Sequence, residues 1–277
     1  MRFAKAQGLG NDFLLIEREL APGDAAAWAR RLCDRHEGIG ADGLILYGVE
    51  GGEVAMRLIN ADGGDAEISG NGLRCVAAYA FRQGWVPARH VVKTAAGPRA
   101  VEVAPALGSR FRVRANLGEP ILGSREIPAA LDPPRSPVVD YPLDVGGRIV
   151  AVTVTSLGNP HCALFFDVPV VDAVILSLGP EIERHPLFPR NTNVEFVTVV
   201  SPRELRVRFW ERGVGYTRAS GTGAASAAVA AVITGRASRT VRVLCDGGVL
   251  DVEWPEGGSV RQVGDAELLF EGEWLAG

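Results

Sequence analysis

Ser69 and Ser220 each stand directly before a Gly-x-Gly that opens an apolar helical stretch, and 151 positions separate them. Serine is a favoured helix N-cap, and the glycines permit a tight backbone turn into the helix. The same arrangement aims free backbone N–H groups and the positive end of the helix dipole at one point, a cradle for an anion. Gly70, Asn71 and Gly72 would line the first cradle, and Gly221, Thr222 and Gly223 the second. Two such cradles suit the capture of a substrate carboxylate.

Polar residues that a plain core would not need surround both sites. Asn60-Ala-Asp-Gly-Gly64 precedes the first and Glu211-Arg212-Gly213 the second, while Asn11, Asn159 and His161 lie in loops marked by glycine or proline. Asn191-Thr-Asn193-Val-Glu195 stands just before a strand-like run. Turn chemistry explains some of these asparagines. Together they point to a pocket for a small zwitterionic molecule, with Arg212 suited to bidentate carboxylate recognition.

Other chemistries are poorly served. Cys33, Cys75, Cys162 and Cys245 are too far apart for a CxxC motif or zinc knuckle. They read as free thiols of a cytoplasmic protein. His161 has no ligand pattern beside it, so no metal is expected, and His36, His90 and His185 read as surface or turn residues. Lys5 and Lys93 are the only lysines among 29 basic residues, which narrows Schiff-base chemistry to those two. Gly8-Leu-Gly-Asn lacks the rest of a dinucleotide fingerprint. The net charge of −4 is spread over interspersed acids and bases, so no nucleic-acid face is implied. The apolar run from Ala224 to Ile233 is too short to span a bilayer.

The elements that position these residues come in duplicate. Ser69 to Gly84 laid on Ser220 to Gly235 matches at six of sixteen positions, and Arg57, Asn60 and Gly64 fall on Arg208, Glu211 and Gly215. Leu9-Gly-Asn11 echoes Leu157-Gly-Asn159. The ordered series at nearly one offset marks an internal duplication. In each half a strand (Ala55 to Ile59, Leu205 to Trp210) leads through a glycine-rich turn to a helix ending at Gly84 or Gly235. The second helix is nearly all alanine and valine and should be buried at the centre of its half. Pro120 to Pro142 holds six prolines, and a domain boundary fits its first part. The expected division is 1–120, 121–263, and a terminal segment 264–277 whose strand, Ala266 to Trp274, returns to the first half.

These segments resemble the diaminopimelate epimerase family of cofactor-independent amino-acid racemases. The likeness runs through Gly8–Phe13, Gly38–Gly43, Asn60–Gly63, Gly70–Cys75, Gly158–His161, Asn191–Phe196, Glu211–Gly215 and Gly221–Gly223, in the family's order. It implies an α/β fold of two similar halves, each a mixed sheet wrapped around a central helix, with the active site in the cleft between them. It further implies epimerisation of LL-diaminopimelate to the meso form, in lysine biosynthesis, without metal or other cofactor, by a possible homodimer. Family chemistry uses two cysteines, one thiolate removing the α-proton while the other thiol donates. In this chain those positions are Ser69 and Ser220, and Tyr216 stands where the family usually has glutamate. The resemblance carries His161 and Glu211 as neighbours of the catalytic pair. It carries Asn11, Asn60, Asn159, Asn193 and Arg212 as holding the ligand's ends.

The two serines leave three explanations open: replacement by design, natural serines activated by His161 and Glu211, or loss of epimerisation with retained binding or elimination. Rival functions are an isomerase or dehydratase for another amino acid, such as a hydroxyproline, and a non-catalytic amino-acid-binding protein.

Overall fold

The computed structural model describes residues 1–21 and 23–275. The chain divides into two compact units, Met1–Asn116 with Val263–Gly277, and Leu117–Gln262. In the first, β1 (Arg2–Gly8) and β2 (Asn11–Glu17) form a hairpin around Leu9-Gly10, followed by α1 (Ala25–Cys33), β3 (Gly43–Glu50) and β4 (Glu53–Asn60). Next come β5 (Asp65–Ala66), α2 (Gly70–Arg82), β6 (Arg89–Thr94), β7 (Gly97–Pro105) and β8 (Arg110–Gly118). The second unit holds β9 (Val138–Val145), β10 (Arg148–Ser156), β11 (Pro160–Phe166), α3 (Asp172–Glu183), β12 (Asn193–Ser201) and β13 (Glu204–Glu211). It continues with β14 (Gly215–Thr217), α4 (Gly221–Ile233), β15 (Thr240–Cys245) and β16 (Gly248–Glu253), before the long β17 (Val260–Glu273).

Strand pairing repeats the duplication in physical form. In the first unit β1·β2 is antiparallel, β2·β3 parallel, β3·β4 and β4·β5 antiparallel, β4·β6 parallel and β6·β7 antiparallel. The second repeats the same six senses in the same order through β10·β11, β11·β12, β12·β13, β13·β14, β13·β15 and β15·β16. Each parallel step needs a crossover, which α1 and α2 supply in one unit and α3 and α4 in the other. The fold is α/β, two similar halves with a mixed sheet around a central helix.

The central helices are α2 and α4. Every residue of α4 from Gly221 to Ala231 is buried, as its alanine and valine composition requires. Both helices stop by the same device. Gly84 and Gly235 take φ of +74° and +70°, a left-handed conformation open to glycine. The next residue then closes back on the last turn, Trp85 N–H to Ala80 O at 3.2 Å and Arg236 N–H to Ala231 O at 2.8 Å.

The terminal strand is longer than the sequence pattern shows. β17 pairs antiparallel with β1, Arg2 opposite Glu273 through Gln7 opposite Glu267, and it also pairs with β8. With β7·β8 antiparallel, the strand order of the first unit closes on itself around α2. The last two residues of the 264–277 segment lie outside the described residues.

One histidine differs from expectation. His90 is buried in β6, not in a surface turn, because the strand alternates and position 90 falls on its inward face. Its Nδ1 lies 2.9 Å from Pro87 O, and burial lowers its pKa.

Candidate active site

The two helix starts are near copies. Ser69 caps α2 at φ −126°, ψ 124°, and Ser220 caps α4 at φ −127°, ψ 126°. Ser69 Oγ accepts from Gly72 N–H at 3.1 Å, and Ser220 Oγ accepts from Gly223 N–H at 3.2 Å. The third residue must be glycine because of what lies against it. A Cβ on Gly223 would come within 2.9 Å of Ser220 Cβ and 3.0 Å of Phe209 Cδ1, and one on Gly72 within 3.0 Å of Ile45 Cδ1. The environments of the two hydroxyls then diverge: Ser220 is buried, whereas Ser69 is half-buried.

In the first unit a polar chain, buried at Arg74 and Asn71 and reaching the surface at Arg35, sits at the start of α2. Arg74, wholly buried, donates to Asn71 Oδ1 at 2.6 Å and to the carbonyls of Gly70 and Asp265 at 3.2 and 3.3 Å. Asn71 Nδ2 donates to Asn11 Oδ1 at 3.1 Å, and Asn11 Nδ2 to Asp42 Oδ2 at 2.8 Å. Arg35 binds both Asp42 and Asp12 at 2.8 Å. Asn11 and Asn71 are thus brought together, held from behind by Arg74 and Asp42. Asn60 lies at the end of β4, where Gly63 N–H donates to its carbonyl at 2.9 Å. Lys5 is buried and paired with Asp12 at 2.6 Å, and Lys93 pairs with Glu53 on the surface. Neither lysine is poised for Schiff-base formation.

Removing the Arg74 guanidinium deletes its bonds to the buried Asn71 oxygen and to the carbonyls of Gly70 and Asp265. Arg74→Leu is expected to lower unfolding stability by about 2–4 kcal/mol, read from the denaturant midpoint. A loss within about 0.5 kcal/mol would rule out this role.

The second unit has its own polar cluster at the start of α4. Ser220 Oγ donates to Glu211 Oε2 at 2.8 Å, and Thr217 Oγ1 donates to Glu211 Oε1 at 2.6 Å. Burial raises the Glu211 pKa, which the hydrogen bonds from Thr217 and Ser220 and the nearby His161 partly offset. A carboxylate whose proton affinity is raised is a better acceptor near neutral pH. Among the described residues Ser69 Oγ has only its bond from Gly72, and the position matching Glu211 is the neutral Asn60.

His161 does not touch Ser220 or Glu211 by hydrogen bond. Its Nδ1 lies 2.6 Å from Glu195 Oε1 and its Nε2 3.0 Å from Asn159 Oδ1, while Asn159 Nδ2 lies 3.5 Å from Thr222 Oγ1. Asn193 has both ends of its carboxamide engaged by backbone, donating to Pro160 O at 2.8 Å and accepting from Arg212 N–H at 3.0 Å. It ties β11 to the turn after β13. Arg212 Nη1 reaches Arg190 O at 3.4 Å. Tyr216 is exposed, donating to Asp246 Oδ2 at 2.7 Å with the Arg208 guanidinium over its ring.

Glu195, Arg74, Asp42 and Thr217 were not singled out as site residues from sequence. Two carried a local signal: Glu195 interrupts the apolar run Val194–Val197, and Arg74 is a charge in the mostly apolar run Leu73–Phe81, three residues after Asn71. Among the described residues no cluster of three His, Cys, Asp or Glu side chains is placed to hold a metal ion. No described helix is long and apolar enough to cross a membrane.

The paired caps and the polar residues behind them lie within the reach of one family model, diaminopimelate epimerase, which matches residues 3–122 and 153–269. The chain belongs to the diaminopimelate epimerase family. A diaminopimelate epimerase of Pelotomaculum thermopropionicum is 45% identical over 280 residues, covering 99% of each chain. One from Desulforudis audaxviator is 47% identical over 280 residues, again covering 99% of both. Among solved structures, a "predicted epimerase" from Pseudomonas aeruginosa superposes with a TM-score of 0.70 at 20% identity, covering 100% of this chain and 99% of that one. A hydroxyproline epimerase from Agrobacterium vitis gives 0.68 at 14% identity, covering 98% and 90%. At those identities the structures speak for the fold, and the diaminopimelate epimerase relatives for the chemistry. The chain is an enzyme of the isomerase class that acts on a small amino-acid-type substrate.

Proposed function

We propose that this chain converts LL-diaminopimelate to the meso form, in lysine biosynthesis, by two-base proton transfer at the α-carbon, with Ser220 and Ser69 as the two bases. The observation that carries the reading is the 2.8 Å hydrogen bond from Ser220 Oγ to Glu211 Oε2 at the N-terminus of α4. Serine alone is a weak base. Coupled to Glu211 it need not become a free alkoxide: Oγ takes the α-proton as its own proton passes to the carboxylate. The half-buried Ser69 hydroxyl gives its proton to the opposite face and regains one from solvent as Glu211 releases its own. The backbone N–H groups of Gly221 to Gly223 and Gly70 to Gly72 would bind the reacting carboxylate and stabilise the charge that spreads into it. Asn11, Asn60, Asn159, Asn193 and Arg212 would hold the ligand's two amino-acid ends. No metal or organic cofactor is needed for such a step.

The inequality of the serines favours a second reading, exchange on one face only. Ser220 has a carboxylate to pass its proton to, whereas Ser69 does not, so the chain would wash deuterium into the substrate without inverting it.

Incubation of the purified protein with LL-diaminopimelate in heavy water separates the readings. Deuterium incorporation with formation of the meso isomer is expected for two-base epimerisation. Incorporation with retained configuration replaces it by one-faced exchange, and binding without incorporation sinks both.

A further inference from the structure

We propose that Glu195 is a positioning residue that acts through His161 to turn the Asn159 carboxamide toward the start of α4. This rests on the reading of Asn159 and the α4 start as facing the ligand. Three contacts within one unit form a row: Glu195 Oε1 to His161 Nδ1 at 2.6 Å, His161 Nε2 to Asn159 Oδ1 at 3.0 Å, and Asn159 Nδ2 to Thr222 Oγ1 at 3.5 Å. The parallel register of β11 and β12 sets His161 opposite Asn193 and Ala163 opposite Glu195. His161 and Glu195 therefore share one face of the sheet on adjacent strands.

The proton inventory decides which way the row points. A bare Nε2 would draw the Asn159 amide nitrogen toward it; a protonated Nε2 takes the amide oxygen and turns the NH2 group toward Thr222. His161 and Glu195 side chains are each 1% exposed, and Glu195 Oε2 has no hydrogen-bond partner among the described residues. Neutral imidazole with its proton on Nδ1, beside an ionised Glu195, would bury a net negative charge there. The Glu211 carboxyl also faces His161, and the Cys162 thiol faces Glu195, so no further cation comes from those neighbours. Burial of an uncompensated charge is strongly unfavourable. The pair is therefore net neutral; a proton on Oε2 would be a buried donor without an acceptor, which leaves a carboxylic acid donating to Nδ1 or an imidazolium beside a carboxylate. Burial raises the Glu195 pKa, which favours the acid form. In both forms Nε2 carries a proton, and Asn159 is turned one way.

Nitrogen-15 NMR of the imidazoles tests this without any ligand. The four histidines are few enough for His161 to be assigned by its loss in His161→Gln. A directly bonded proton on Nε2 throughout the neutral range is expected, and a bare Nε2 would overturn the proposal. Glu195→Leu is expected to release the tautomer and raise the Kd for LL-diaminopimelate roughly tenfold, about the loss of one oriented hydrogen bond to a charged group. In Glu195→Gln the amide N–H can donate to Nδ1 as the acid does. That variant is expected to keep the Nε2 proton and most of the affinity, so the test survives even if the leucine variant fails to fold. Loss of the Nε2 proton in Glu195→Gln would count against the proposal. If the wild type keeps the Nε2 proton yet binds no diaminopimelate, the positioning stands and the ligand-facing reading fails.

Discussion

Replacing both Ser69 and Ser220 by cysteine is expected to raise kcat/KM for LL-diaminopimelate by on the order of a thousandfold. A thiol titrates several units below an alcohol, and each unit is worth about 1.4 kcal/mol, a factor of roughly ten. The sites are already suited to a thiolate, since each side chain sits at a helix N-terminus where the dipole lowers a thiol pKa. The same change weakens two caps, because sulfur accepts poorly from Gly72 and Gly223 N–H, at about 1 kcal/mol each. The double variant should therefore be faster and less thermally stable. Steady-state kinetics and a melting curve on one preparation check both. An unchanged rate would remove Ser69 and Ser220 from the chemistry.

Glu211→Gln is expected to lower kcat by about two to four orders of magnitude with little change in KM. Glutamine can accept through its single oxygen from only one of Thr217 and Ser220, its NH2 group donating to the other hydroxyl, and it cannot take up a proton. In the parent chain Glu211 must be ionised to serve as acceptor. Burial raises its pKa, so activity should rise with pH through a midpoint above the ordinary glutamate range. For stability the sign is reversed: a raised carboxyl pKa favours the protonated folded state, so Glu211 contributes less as pH rises through that midpoint. The kcat–pH profile of the parent, set beside the flattened profile of the variant, measures this. A parent profile with no acid limb above the usual carboxylate range would refute the role.

How much of this could be read from residues alone depends on whether the information is local. The serine caps, the glycines behind them and the Gly84 and Gly235 stops are written in consecutive residues, and the repeat made each site vouch for the other. The buried centre of α4 is equally local, since thirteen residues with scarcely a polar side chain have no solvent face. The Glu195–His161 pair is different. It exists because β11 and β12 run parallel in one register, a long-range choice that no window around either residue encodes. Arg74 is similar: its partner Asp265 lies on β17, far along the chain. Asn193 carries a second role that its type does not disclose: its carboxamide ties the backbone of Pro160 to that of Arg212, residues far apart in the chain. His90 was misplaced because burial in β6 depends on which way the strand faces.

The return of β17 to β1 and β8 makes the two units unequal during synthesis. Leu117–Gln262 is one continuous stretch, whereas its counterpart needs Val263 onward to fill the gap between β1 and β8. Until that segment emerges, both of those strands present open edges, the kind of surface on which unfinished chains associate. The continuous unit can fold first, and the unit begun earliest finishes last. Any shortening of β17 therefore threatens the residues at the opposite end of the chain before it threatens those beside it in sequence.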